Sequence, residues 1–171
     1  MGGIIRKRSV LDTFEDPVEA HRRRGAPHTF DSKFYRKFIK SLLEPTSSET
    51  LFAPSFSHTA KDPVLDAIPI LPNHKIIIIE GLYTSLQEGE DWKMASSLIH
   101  LSILVNVSPQ LSRQRLIQRH VSSGICSDSQ QAAERVDFND QPNGEYLLSH
   151  LRVPDLVIES VEDASITLET P

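Results

Sequence analysis

The sequence predicts an α/β domain built on a parallel sheet flanked by helices, and three observations carry that prediction. The stretch Lys75-Ile76-Ile77-Ile78-Ile79-Glu80-Gly81 holds four consecutive β-branched residues, the pattern of a strand covered on both faces, where alternation of apolar and polar residues disappears. Two further apolar runs, 101–107 and 155–160, have the same strand character. The segments between them carry helical spacing and capping residues, and strands separated by helices indicate a parallel sheet. A length of 171 residues suits one domain, 1–171, with one core.

The elements follow in order. Residues 1–10 begin abruptly and give no complete element; they are open to being a non-native start. Asp16-Pro17-Val18-Glu19-Ala20-His21-Arg22-Arg23-Arg24-Gly25 predicts a short helix, with Asp16 as N-cap, Pro17 in the first turn, basic residues in the last and Gly25 beyond the end. The arginines complement the helix dipole, although three in a row exceed that need. Asp31 or Ser32 caps a helix through Phe34, Phe38, Ile39, Leu42 and Leu43. A strand is expected over 51–56, ending near Pro54, followed by an irregular polar stretch from Ser57 to Pro63.

The isoleucine strand delivers Glu80 to its carboxyl end, where open α/β sheets bind ligands, and Gly81 lets the backbone turn away. A core strand tipped by a solvated glutamate is the plainer reading of the same residues. Trp92 to Leu98 reads as a helix. Ser108-Pro109 starts another, burying Leu111, Leu116, Ile117 and Val121, with Arg115 and Arg119 four apart on one face. Residues 130–138 form a helix containing Arg135, Asn139 to Gly144 a loop, and 161–171 a mobile tail.

Charge is distributed unevenly. The net charge is -5, yet residues 1–40 hold ten Lys/Arg against five Asp/Glu, leaving eight against eighteen in the remainder. A local basic patch on an acidic chain suits a small anionic ligand better than a nucleic acid, and no aromatic platform accompanies it. The single cysteine, Cys126, excludes an internal disulfide and a cysteine zinc site, which points to a reducing compartment. No apolar run approaches the roughly 18 residues of a membrane helix. A soluble, cytoplasmic protein with a small-molecule partner is expected; the oligomeric state is open.

Five blocks in order resemble the phosphoribulokinase/uridine kinase family of P-loop kinases, in its nucleoside- and fructose-kinase-like branch related to pantothenate kinase. They are residues 16–31, Ala53-Pro54-Ser55-Phe56-Ser57-His58 with Asp62-Pro63, Glu80-Gly81-Leu82-Tyr83, residues 115–124, and Asn139-Asp140-Gln141-Pro142-Asn143. The resemblance implies a P-loop NTPase-like sheet and ATP-dependent phosphoryl transfer to a hydroxyl of a nucleoside, sugar or similar alcohol. It makes Glu80 an acid near Mg2+, acting through a metal-bound water. Arg115 and Arg119 become lid arginines over ATP, with Arg135 also on the nucleotide side. Arg23, Arg24, Asp31 and His58 fall on the acceptor side.

Two departures accompany these matches. The 171 residues contain no Gly-x-x-x-x-Gly-Lys-Ser/Thr phosphate loop, and Gly2-Gly3-Ile4-Ile5 stands where the family carries its general-base aspartate. The chain therefore resembles the family without its first strand and phosphate-binding loop. It is expected to be incomplete and inactive by itself, or else a non-catalytic binding or regulatory relative.

Overall fold

A computed structural model describes residues 2–44, 49–57 and 59–162. The described architecture is α/β, with two small sheets among helices. The antiparallel sheet pairs β1 (Leu51–Ser57) with β2 (Asp62–Ile70), and the parallel sheet pairs β3 (Ile103–Asn106) with β4 (Leu156–Glu159). The helices are α1 (Arg8–Leu11), α2 (Pro17–Arg22), α3 (Ser32–Leu43), α4 (Glu90–Ser97), α5 (Pro109–Ser122), α6 (Ser129–Arg135) and α7 (Gln141–His150).

Helix starts follow the sequence closely. The carboxylates of Asp16, Asp31 and Asp128 and the hydroxyl of Ser108 each accept a hydrogen bond from a backbone N–H three residues on, opening α2, α3, α6 and α5. Gly25, just after α2, has φ +115°, a left-handed conformation that suits glycine.

The core assembles between α3 and α4. Tyr35 and Ile39 of α3 and Trp92 and Ala95 of α4 are buried together with Ile4, Tyr83 and Leu86. The rings form a cluster, with Tyr83 lying 5.2 Å from Phe30 and 5.9 Å from Trp92 between centroids. Both tyrosine hydroxyls find backbone acceptors: Tyr35 donates to Thr84 O and Tyr83 to Gly25 O. Burial raises the ionisation of both phenols far above its ordinary range, so they serve as neutral donors.

The first residues are packed into this frame. Gly2–Ile4 forms a 3₁₀ turn, the Asp31 N–H donates to Ile4 O, and the Arg6 N–H donates to Thr29 O. A Cβ on Gly3 would lie 2.5 Å from the carbonyl carbon and oxygen of Pro54. Backbone atoms cannot swing aside as a side chain can, so Gly3→Ala is expected to cost about 1–3 kcal/mol through overpacking. Urea unfolding measures this directly; an unchanged midpoint would mean that the turn does not dock on β1 in solution.

Four expectations are corrected. Residues 75–80 do not form a buried, paired strand: Lys75–Ile79 make no backbone hydrogen bond among the described residues, and Ile76 and Ile78 are 82% and 89% exposed. The β-branched run favours a strand, but a ladder needs a neighbour, and none pairs with it there. Secondly, β1 continues past Pro54 to Ser57. Proline has no N–H to donate, and the pairing jumps there from Ala53↔Ile68 to Ser55↔Val64.

The third correction is that the polar stretch expected to be irregular lies partly in strands, with Ser57 ending β1 and Asp62 and Pro63 beginning β2, while Thr59 to Lys61 form the turn between them. Finally, Asn139 to Gly144 is helical rather than a loop: a π-helical turn, Val136–Asp140, joins α6 to α7. Pro142 sits in the first turn of α7, where a missing N–H is tolerated, and Asn143 lies one turn beyond Asn139 and donates to its side chain.

Candidate functional site

Two clefts lie beside the residues singled out from the sequence. The first, about 200 Å³, runs along α5 and is lined by Val107, Ser112, Arg115, Leu116 and Arg119. The second, about 340 Å³, lies between the Pro27–Thr29 turn and α7 and is lined by Arg23, Ala26, Pro27, His28, Pro142, Asn143 and Tyr146.

Arg115 and Arg119 share the first cleft because they are one turn apart on α5. Their surroundings differ. Arg115 donates to Ser160 Oγ, to Val161 O and to the Glu162 carboxylate, which fastens α5 to the end of β4. Arg119 is exposed, and its guanidinium has no hydrogen-bond or ion-pair partner among the described residues. Arg135 closes α6 half-buried, its Nε shielded from solvent without a partner. Glu80 is exposed at the end of the unpaired isoleucine segment, before Gly81.

The acceptor-side residues separate into different environments. Arg24 is only 12% exposed; it donates to Lys61 O, Arg6 O and the Asp62 carboxylate at 2.6–2.8 Å. It thereby ties the first segment to the β1–β2 hairpin. Asp31 caps α3 and meets Arg6 at 3.5 Å. His58 lies outside the described residues. Of the three described residues, Arg23 alone lines the second cleft, donating to Phe138 O at 2.6 Å and to Asn143 Oδ1 at 3.4 Å.

Other residues position this site, most of them within the sequence blocks 115–124 and 139–143, which assigned them no role. Asn139 and Asn143 are buried, and Asn139 donates to Arg24 O, joining the π-turn to the segment that follows α2. The helical spacing of the two asparagines was the available clue, obscured by Pro142 and Gly144. His120, also buried, shares a 2.6 Å hydrogen bond with Asp140, and Arg113 grips Asp137 through two bonds, so α5 is clamped to the π-turn beside the second cleft. The Asp137 carboxyl is held below its ordinary range by that bond with Arg113.

Burial lowers the His28 imidazole below its ordinary 6.5; the nearby Arg23 charge adds to this and Glu19 opposes it. The unfolded chain therefore binds the proton more readily. His28 weakens the fold as pH falls through 6.5 toward the lowered folded value, and above 6.5 this penalty is absent.

The fit of ATP and Mg2+ can be judged from the donor set. No group of three or more His, Cys, Asp or Glu among the described residues could hold a metal ion. Magnesium is commonly held by one or two carboxylates together with substrate phosphates, so Glu80 needs phosphates cradled beside it. The 171 residues hold no Gly-x-x-x-x-Gly-Lys-Ser/Thr motif, and the α5 cleft, about 200 Å³, is smaller than the roughly 300–1,000 Å³ of small-molecule sites. No helix among the described residues is long and apolar enough to cross a membrane.

No family model matches the sequence. Individual proteins do. The ATP-dependent kinase-like protein notR' of Aspergillus versicolor is 40% identical over 156 residues, covering 90% of each chain. Protein C227.14 of Schizosaccharomyces pombe, provisionally named a uridine kinase, is 34% identical over 94% of this chain and 68% of its own. The ATP-dependent kinase YFH7 of Saccharomyces cerevisiae is 30% identical over 95% of this chain, which spans 55% of its length.

Solved structures agree. YFH7, provisionally described as a P-loop containing kinase with a circular permutation, superposes with TM-score 0.80 at 28% identity over 95% of this chain and 57% of that one. A fructose transport system kinase of Silicibacter, also provisionally named, shares the fold with TM-score 0.78 at 24% identity over 91% and 71%. With relatives of this identity spanning nearly all of its length, the chain belongs to the uridine-kinase-like family of ATP-dependent P-loop kinases.

Proposed function

We propose that this chain is the acceptor-binding part of a small-molecule kinase, and that by itself it binds its ligand without transferring a phosphoryl group. The observation that carries this is the cleft beside Arg23 and His28, bounded by two of the sequence blocks that carry the family resemblance, 16–31 and 139–143. It provides a cation, an imidazole and an amide beside apolar walls of Ala26, Pro27 and Pro142, which is the mixture small-molecule sites use.

Transfer to the hydroxyl of a nucleoside, sugar or similar alcohol needs a phosphate cradle and a base toward that hydroxyl. The 171 residues supply neither in recognisable form. Glu80, Arg115 and Arg119 keep their assigned roles, at magnesium and over the nucleotide, only in a protein that also carries a phosphate loop. A non-catalytic regulatory role is the second reading. It is favoured by Arg115 being fastened to the residues after β4, where a lid arginine must reach a nucleotide.

Calorimetric titration of magnesium–ATP, alone and with candidate alcohols, followed by a transfer assay, tests the proposal. No ATP turnover by the folded chain is expected. Turnover abolished by Glu80→Gln would overturn the non-transferring part and restore Glu80 as a catalytic residue. Magnesium–ATP binding weakened by Arg115→Ala and Arg119→Ala would establish a nucleotide site on α5.

A further inference from the structure

The three consecutive arginines after Ala20 have unequal electrostatic surroundings. Arg22 pairs with Glu19 at 3.6 Å and lies 3.6 Å from the centre of the Phe138 ring. Arg24 pairs with Asp62 at 2.6 Å. Arg23 has no carboxylate within ion-pair distance among the described residues; its bonds go to two neutral oxygens, those of Phe138 and Asn143. Its charge is uncompensated and lies at the wall of the 340 Å³ cleft.

We propose that this cleft is a binding site for a small organic anion, a compact molecule whose single carboxylate or phosphate group is received by Arg23 beside His28 and Asn143. The proposal deepens the acceptor reading above by assigning that acceptor a charge. A planar guanidinium suits either acid, because its parallel N–H groups match two oxygens of a carboxylate or phosphate. Its existing bonds to Phe138 O and Asn143 Oδ1 fix the side chain before the ligand arrives, which reduces the entropy lost on binding.

The rest of the wall sets the size and character of the ligand. Pro27, Pro142 and Ala26 are short and apolar, and Asn143 is 97% buried with its amide in bonds of only 3.4 Å. On α7 the Tyr146 ring stacks against His150 with centroids 4.4 Å apart, making a flat face at one side. Such a space takes a few carbons and one acidic group.

The charges around the cleft support an anion. His28 is held below its ordinary ionisation by burial and by Arg23, so near neutral pH the imidazole is uncharged and can donate or accept a hydrogen bond. The nearby acids are engaged elsewhere: Glu19 with Arg22 and Asp140 with His120. Glu88 is felt at Tyr146 and Glu19 at His28; both oppose a ligand of high negative charge and favour a single acidic group.

The test uses three probes with one carbon skeleton: glycerol 3-phosphate, glycerate and glycerol, added to the full chain at constant ionic strength. The His28 ring resonances are followed by NMR across pH. An anion bound beside the imidazole stabilises its protonated form, so its ionisation is expected to move upward and saturate with glycerol 3-phosphate, glycerate or both, and not to move with glycerol. The relative response of the two anions identifies phosphate or carboxylate as the preferred acid.

Arg23→Gln is expected to weaken this binding by about tenfold or more, as loss of a charge-assisted bond does. Arg22→Gln is expected to leave it within about twofold, because that charge is already paired. If Arg23→Gln does not fold, Arg23→Lys keeps the charge without the fork and is expected to bind more weakly than wild type but still respond. No response to either anion, equal response to glycerol, or equal binding by Arg23→Gln and wild type would overturn the site. These outcomes need no ATP, so anion binding and phosphoryl transfer succeed or fail separately.

Discussion

Tyr83→Ala is expected to remove about 3–5 kcal/mol of stability, the cost of emptying a fully buried aromatic position. Tyr83 is wholly shielded from solvent, packs edge-on to Phe30 and lies against Trp92, and it follows Glu80-Gly81-Leu82 directly in sequence. Domains of this size hold roughly 5–15 kcal/mol in total, so the variant stands at or near unfolding at room temperature. Tyr83→Phe separates packing from hydrogen bonding. It keeps the ring and removes only the donor to Gly25 O, a loss of about 1 kcal/mol. Urea titrations of the three proteins check both figures. Equal midpoints for the alanine variant and wild type would mean that the aromatic cluster is not the core. Because Gly25 follows the arginines, Tyr83→Phe also loosens the turn that aims Arg23 at its cleft.

Arg24→Met is expected to cost about 3 kcal/mol, because it removes the guanidinium that satisfies two backbone carbonyls and pairs with the Asp62 carboxylate, leaving that charge with the Arg8 N–H. Methionine retains most of the apolar stem, so the loss reports the polar contacts. Asp62→Asn in the same chain removes the uncompensated charge and is expected to recover part of the loss. A double-mutant cycle by chemical unfolding measures that coupling. Additive effects would show that Arg24 and Asp62 do not interact in solution. Arg24→Lys is also expected to destabilise, since one ammonium cannot reach three acceptors disposed around a planar fork. A full wild-type midpoint for Arg24→Met, with weakened anion binding, would instead place Arg24 at the ligand.

The neighbouring arginines show how far sequence reading extends. Arg22, Arg23 and Arg24 are indistinguishable as letters, and their density alone marks the segment as basic beyond what a helix end requires. Their partners, Glu19, Phe138 with Asn143, and Asp62, lie up to 120 residues away in the chain, so which arginine keeps an uncompensated charge depends on contacts between distant segments. The same holds for Asn139 and Asn143. Their amides read as turn-formers until Arg24 O and Arg23 supply partners that make a helix acceptable.

Local rules suffice where the stabilising partner is near in sequence. Asp16, Asp31 and Ser108 begin helices because each satisfies an N–H three residues ahead, and Gly25 turns the chain because it lacks a Cβ. The sequence by itself therefore determined the α/β class, most helix starts, and the kinase family that relatives spanning nearly the whole chain later showed. Tertiary structure decided the rest: that Lys75–Ile79 is largely exposed and unpaired, that Arg24 is a tie, and that Arg23 with His28 and Asn143 forms a cleft. The physical reason is that a strand, an ion pair and a pocket each require a second segment of backbone or side chain. Their energies are fixed only when the folded chain brings that segment within hydrogen-bond distance.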